Sequence, residues 1–79
     1  MNLRITPVPD DERATLLIEG RLDAEGLPEL RRSLEAGARA LDVQNLLSVD
    51  EQGLEALRAL RAQGIEIRNA SHYLRLRLA

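Results

Sequence analysis

Residues 40–67 read ALDVQNLLSVDEQGLEALRALRAQGIEI, and the order of patterns inside this stretch decides the fold. Residues 40–43 form a short apolar run, broken by Asp42, that fits a strand. Ser48-Val49-Asp50-Glu51 matches the capping pattern in which a hydroxyl and a glutamate three residues on satisfy free amides at a helix start. Asp50 is an equally good cap, so the helix start stays open by about two positions. Leu54, Leu57 and Leu60 recur at helical spacing with Ala56 beside them, and Gly64 offers a left-handed stop after Gln63. Ile65 and Ile67 then alternate with Glu66 and Arg68, the period of a short strand. A strand, a helix and a strand in that order require a crossover and a parallel pair.

Upstream the same unit occurs once more. Leu3, Ile5 and Val8 begin an extended segment that Pro7 and Pro9 interrupt, which predicts an edge strand ending before Pro9. Pro9-Asp10-Asp11-Glu12 reads as a polar turn, and residues 14–19 as a second strand stopped by Gly20, so the two should form a hairpin. Leu27, Leu30 and Leu34 lie on one face of a helix whose first turn holds Pro28 and whose end Gly37 marks. Downstream, residues 71–78 are ambiguous. Leu74, Leu76 and Leu78 alternate with Arg75 and Arg77 as in a strand, yet Ser71 could cap a helix, and the propensities of Leu and Arg favour that helix. The predicted fold is a small α/β domain: a mixed sheet of about four strands, two main helices near 27–36 and 51–63 on one face, and a short C-terminal helix. Its core should gather Ile18, Leu30, Leu34, Val43, Leu54, Leu57, Leu60 and Ile67.

Composition bounds the function. Seventy-nine residues allow one domain, residues 1–79, with a small stability margin that an oligomer or a partner protein would raise. Net charge is −2, with 11 basic and 13 acidic residues dispersed along the chain, which argues against a dedicated nucleic-acid binder. All 11 basic residues are arginine, which fits the base composition of a genome better than a binding role. With no cysteine and a single histidine, His72, thiolate chemistry is excluded and a histidine-built metal site lacks its ligands. The apolar runs are a few residues long against the roughly 20 that a membrane span needs, and no signal-peptide core follows Met1. A cytoplasmic protein is the default expectation. Sixteen leucines, no Phe and no Trp mean a core built without large aromatic anchors.

Three aspartates, Asp23, Asp42 and Asp50, could converge at one end of the sheet as an acid/base or metal cluster. The commoner role for such residues is structural, Asp50 capping a helix and Asp23 holding a turn. His72 beside Tyr73 reads as a surface residue near a helix cap. Ser33, Ser48 and Ser71 lack a nucleophile elbow, and Gly20 and Gly26 do not make a phosphate loop. Arg75 and Arg77 make too small a basic patch for a lipid surface. No enzyme, cofactor or metal is expected.

The ordered set of segments resembles the STAS domain family, named for sulfate transporters and anti-sigma factor antagonists. The segments are residues 14–20 followed by Arg21-Leu22-Asp23, then Leu41-Asp42-Val43, a short loop, and Val49-Asp50-Glu51-Gln52-Gly53-Leu54. Gly64-Ile65-Glu66-Ile67 and Asn69-Ala70-Ser71-His72-Tyr73 close the set, so the similarity covers nearly the whole chain. In phosphorylated antagonists the segment resembling residues 50–53 reads Asp-Ser-Ser-Gly, and the serine before glycine accepts the phosphate. Here Gln52 occupies that position, so phosphorylation at the usual site is not expected. Longer members of the family carry a last strand and helix beyond the segments matched here.

The resemblance implies a bacterial, non-catalytic protein–protein interaction module acting in regulation of transcription. Its partner would be an anti-sigma factor of the serine-kinase type. The binding face would be residues 48–57, with Asp23, Ser48, Asp50, Glu51, Gln52, Gly53 and Leu54 as its residues. Gly53 is expected to leave the helix shoulder open to close backbone approach by the partner. The alternative is an accessory subunit docked by the same face on the ATPase of a lipid-transport ABC system. Nucleotide binding, which some STAS domains show, ranks last because no phosphate motif is present.

Overall fold

A computed structural model describes residues 2–9, 12 and 14–79. The chain forms strands β1 (Leu3–Pro7) and β2 (Thr15–Leu22), helix α1 (Leu27–Glu35), strands β3 (Ala40–Asp42) and β4 (Leu46–Val49), helix α2 (Glu51–Ala62), strand β5 (Glu66–Arg68) and helix α3 (His72–Leu78). A single turn of 3-10 helix, Ala24–Gly26, leads into α1. The predicted α/β class, the mixed sheet, the two main helices and the short C-terminal helix are all present.

β1 and β2 are an antiparallel hairpin with Ile5 opposite Ile18 and Arg4 opposite Glu19. The polar turn expected between them lies partly outside the described residues, at Asp10 and Asp11. On the other side of β2, β3 pairs in parallel with residues 15–17 and β4 with residues 20–22. β5 adds in parallel to β3, with Leu41 opposite Ile67. The hydrophobic residues of one sheet face, Leu16, Ile18, Leu22, Leu41 and Val43, share a single cluster with Leu30 of α1, Leu54 and Leu57 of α2, and Leu74 and Leu78 of α3. Leu34, Leu60 and Ile67 are half-buried at its margin. On the opposite face, Arg68 reaches across β3 to donate a hydrogen bond to the buried Thr15 hydroxyl at 3.1 Å.

Three expectations need correction. The segment expected as a loop after Val43 contains a fifth strand, β4. Asp42 starts it by accepting the Gln44 N–H at 2.9 Å, which turns the chain so that Leu46 can pair with Gly20. Gly20 does not stop β2: the strand runs through it at φ +92, and a side chain there would overlap the carbonyl of Asn2, the residue before β1. Glycine is needed here for passage, because a left-handed backbone and a close neighbour coincide. Finally, Ser48 lies in β4 and caps nothing; Asp50 alone caps α2.

β4 carries a bulge. Gly20 pairs with Leu46 and Arg21 with Ser48, so Leu47 is one residue too many for the ladder. The extra residue resets the alternation. Leu46 and Val49 both face the core, whereas strict period two would turn Val49 outward.

Candidate functional site

The carboxyl ends of β2 and β4 meet at the start of α2. Asp50 donates its N–H to the Leu22 carbonyl at 3.1 Å, so the end of β2 and the entry to α2 are one joint. Asp23 follows Leu22 directly. Its Oδ1 accepts from the amides of Glu25 at 3.1 Å and Gly26 at 3.2 Å, holding the turn that starts α1. Asp50 Oδ1 accepts the Gly53 N–H at 2.7 Å, and this bond fixes the first turn of α2. The two aspartates flank the same joint, each engaged with backbone amides as a cap.

Asp42 sits elsewhere in the sheet. Its Oδ2 accepts from Asn69 Nδ2 at 3.1 Å, tying the turn after β3 to the turn after β5. Asp50 as a helix cap and Asp23 as the holder of a turn therefore take their expected structural roles, and Asp42 is engaged apart from both. Among the described residues no three carboxylate, imidazole or thiol groups are placed to hold a metal ion together.

The remaining expected residues divide by exposure. Ser48, Glu51 and Gln52 are exposed, Gln52 in the first turn of α2. Gly53 and Leu54 are buried, and Leu54 belongs to the central core. The expected open shoulder at Gly53 is filled from within: a Cβ there would meet Leu22 O at 2.8 Å and Val49 Cγ1 at 2.8 Å. The close backbone approach that glycine permits is made by the protein's own strands.

Sequence reasoning missed two features beside this joint. Leu47 is 85% exposed on the bulge, which pushes it out of the ladder. In sequence it looked like one more apolar residue in Leu46-Leu47, and only the bulge separates them. The second feature is a polar bridge from α3. Arg77 donates to Glu51 Oε1 at 2.5 Å and to the Tyr73 hydroxyl at 2.8 Å, and its guanidinium lies 5.8 Å from the Tyr73 ring centre. The hydrogen bond to Glu51, with the nearby Tyr73 oxygen, raises the pKa of Arg77 above its ordinary high value. Those partners are 26 positions apart, and no local pattern announces the pair.

α3 is held to α2 by a further contact. Arg58 presents Nε at 3.1 Å and Nη2 at 2.6 Å to the Arg77 carbonyl, and Arg61 Nη1 donates to the Leu78 carbonyl at 3.3 Å. These bonds satisfy carbonyls that a helix end leaves free. Tyr73 and Leu76, 62% and 63% exposed, project from α3.

The joint thus presents exposed Leu47, Ser48, Glu51 and Gln52 on a frame fixed by two capping aspartates. Among the described residues no helix is long and apolar enough to cross a membrane. No protein-family model matches the chain, and no curated protein matches it.

Proposed function

We propose that this chain is a non-catalytic interaction module of the STAS type, an anti-sigma factor antagonist of the bacterial cytoplasm. It acts by binding an anti-sigma factor of the serine-kinase type and displacing it from its sigma factor. The observation that carries the reading is the exposed Gln52 in the first turn of α2, at the place where the resembled family has its phosphorylated serine. An amide there offers a donor and an acceptor without charge and takes no phosphate. The switch is then unphosphorylated and set by abundance.

The docking surface in this reading comprises Leu47, Ser48, Glu51 and Gln52, with Asp23 and Asp50 at its border. Gly53 and Leu54 act beneath it, holding α2 against β2 and β4. Leu47 supplies the apolar centre that a polar helix start lacks.

Titration calorimetry with a purified serine-kinase-type anti-sigma factor from the source organism tests the proposal. Gln52→Arg and Leu47→Asp should each weaken binding by about tenfold or more, close to 1.4 kcal/mol. Arg32→Ala, at an exposed ion pair on α1, should leave it unchanged. Binding to a purified ABC ATPase instead, with the same sensitivity, would replace the sigma-switch reading by the transport one. Loss of binding through Arg32 alone would remove the proposed face. Incubation with the kinase and ATP should leave the mass unchanged, and a phosphate mapped to Ser48 would contradict an unphosphorylated switch.

A further inference from the structure

We infer that the outer edge of β5 is a self-association site, independent of the α2 entry, where a second copy of this chain adds its own β5 antiparallel about a two-fold axis at Ile67. Glu66 donates its N–H to the Arg39 carbonyl at 3.0 Å, and the Arg68 carbonyl accepts the Val43 N–H at 3.0 Å, both toward β3. The alternation of a strand therefore turns the N–H and C=O of Ile67 away from β3. Among the described residues β5 pairs with β3 alone. The axis has one place to sit. Two positions earlier the Ile65 N–H is held by the Leu60 carbonyl at 3.0 Å, and two positions later Asn69 leaves the strand at φ +60. At Ile67 each copy donates one hydrogen bond and accepts one, the closed pair of an antiparallel ladder.

The side chains select a second copy as the occupant. With Ile67 on the axis, Glu66 of each copy stands opposite the partner's Arg68, which makes two opposite-charge pairs on one sheet face. Within one copy Arg68 Nε already donates to Glu66 Oε2 at 2.8 Å. A guanidinium is a fork of several donors and a carboxylate accepts more than one bond, so the four charges close into an alternating ring. On the other face the two Ile67 side chains, each half-buried, meet across the axis as an apolar pair. A strand of unrelated sequence has no reason to carry this reversed charge order. Two-fold symmetry supplies it without any further condition.

The edge is also reachable. An open space of about 950 Å³ lies beside it, and its lining mixes Ile65 and Leu78 with Gln44, Asn69 and Arg75. That space contributes room for a strand and no preference between strands. At the opposite edge β1 ends in Pro7, which cannot donate, and β4 is kinked by its bulge at Leu47. β5 has neither obstruction. Its three residues a side bury less than the roughly 1,200 Å² of a standard stable interface, so the dimer is weak and its population follows concentration. In it one sheet runs through both copies, β1-β2-β3-β5 continued by the partner's strands in reverse order.

Sedimentation equilibrium of the full chain and amide hydrogen exchange at Ile67 test the inference together. Raising the concentration should move the mean mass from one copy toward two. Where about nine-tenths of the chain is dimeric, the Ile67 amide should exchange about tenfold more slowly. Glu66→Arg, at an exposed position, and Arg68→Glu each set like charges across the axis and should weaken association by about tenfold or more. Mixed together, the two variants complement each other's charge and should associate again. Arg68→Glu gives up the bond to Thr15, so circular dichroism accompanies it; if it does not fold, Glu66→Arg alone decides. Leu76→Asp, on the exposed side of α3, should change nothing. The inference is overturned if the chain stays monomeric at millimolar concentration, or if the mass rises without protection at Ile67. It is equally overturned if folded Glu66→Arg associates as the parent chain does, or if the two folded variants do not associate when mixed. A dimer lost through Leu76→Asp would move the interface to α3 and overturn it as well. None of these outcomes bears on Gln52 or Leu47, so this edge and the proposed function succeed or fail separately.

Discussion

Gly53 shows how one hydrogen atom in place of a methyl decides a joint. In an exposed helix, Gly→Ala gains about 1 kcal/mol from helix propensity. Here the added methyl meets a backbone carbonyl, Leu22 O, at 2.8 Å, and that carbonyl already accepts from Asp50. Relief requires α2 to move off β2, so overpacking of about 1–3 kcal/mol outweighs the propensity gain. We expect Gly53→Ala to lower stability in urea denaturation, and Gly53→Arg to unfold the chain. A second contrast concerns the cap. Asp50→Ala should cost about 1 kcal/mol through the lost bond to the Gly53 amide. Ser48→Ala, on the exposed side of β4, should stay within roughly 0.5 kcal/mol. Equal losses at both positions would mean that the hydroxyl shares the cap. Both residues fit the capping pattern in sequence, and the decision between them belongs to β4: once that strand forms, Ser48 faces Arg21 and cannot turn to the helix.

At the scale of elements, the legible parts were those with a period. α1, α2 and β2 announce themselves through leucine and isoleucine spacing, and their observed limits fall within a few residues of the expected ones. β4 was invisible because its bulge breaks the alternation by which a strand is recognised. α3 is ambiguous in sequence because Leu74, Leu76 and Leu78 alternate as in a strand while Leu74 and Leu78 are also four apart; tertiary contact decides it, through Leu74 and Leu78 in the core and Arg58 at the Arg77 carbonyl. A seven-residue helix has little stability of its own. Arg58→Ala should therefore speed amide exchange in α3 by several-fold while β2 and β3 keep their protection, because local opening is cheaper than global unfolding. Uniform acceleration across the sheet would mean that α3 is not a separate unit of stability.

At the scale of the molecule the core is aliphatic, and among the described residues the largest fully buried side chains are one isoleucine and five leucines. Such a core has many small contacts and no dominant anchor. Leu57, 1% exposed, lies in the same cluster as side chains of all three helices. Leu57→Ala should cost about 2–5 kcal/mol by calorimetry or denaturant titration, from lost burial and the cavity left behind. In a domain this small, that is comparable to the whole margin of roughly 4–12 kcal/mol. A cost below 1 kcal/mol would show that the helices repack freely. The layer order was readable because each crossover leaves a strand–helix–strand signature. The candidate site was readable only in part. Its frame of Asp23 and Asp50 follows capping rules, whereas Leu47 and the Arg77 bridge depend on the finished fold.

The bulge at Leu47 separates two kinds of genetic tolerance. Its side chain holds nothing in place, so in a saturation library scored for folding nearly every codon at position 47 should survive. Removing the codon is another matter. With one residue fewer between Leu46 and Asp50, either Val49 leaves the interior or the helix that follows is pulled out of phase with β2. A scan would therefore record position 47 as permissive to every letter and closed to a gap: the chain conserves a count there, and leaves the spelling free.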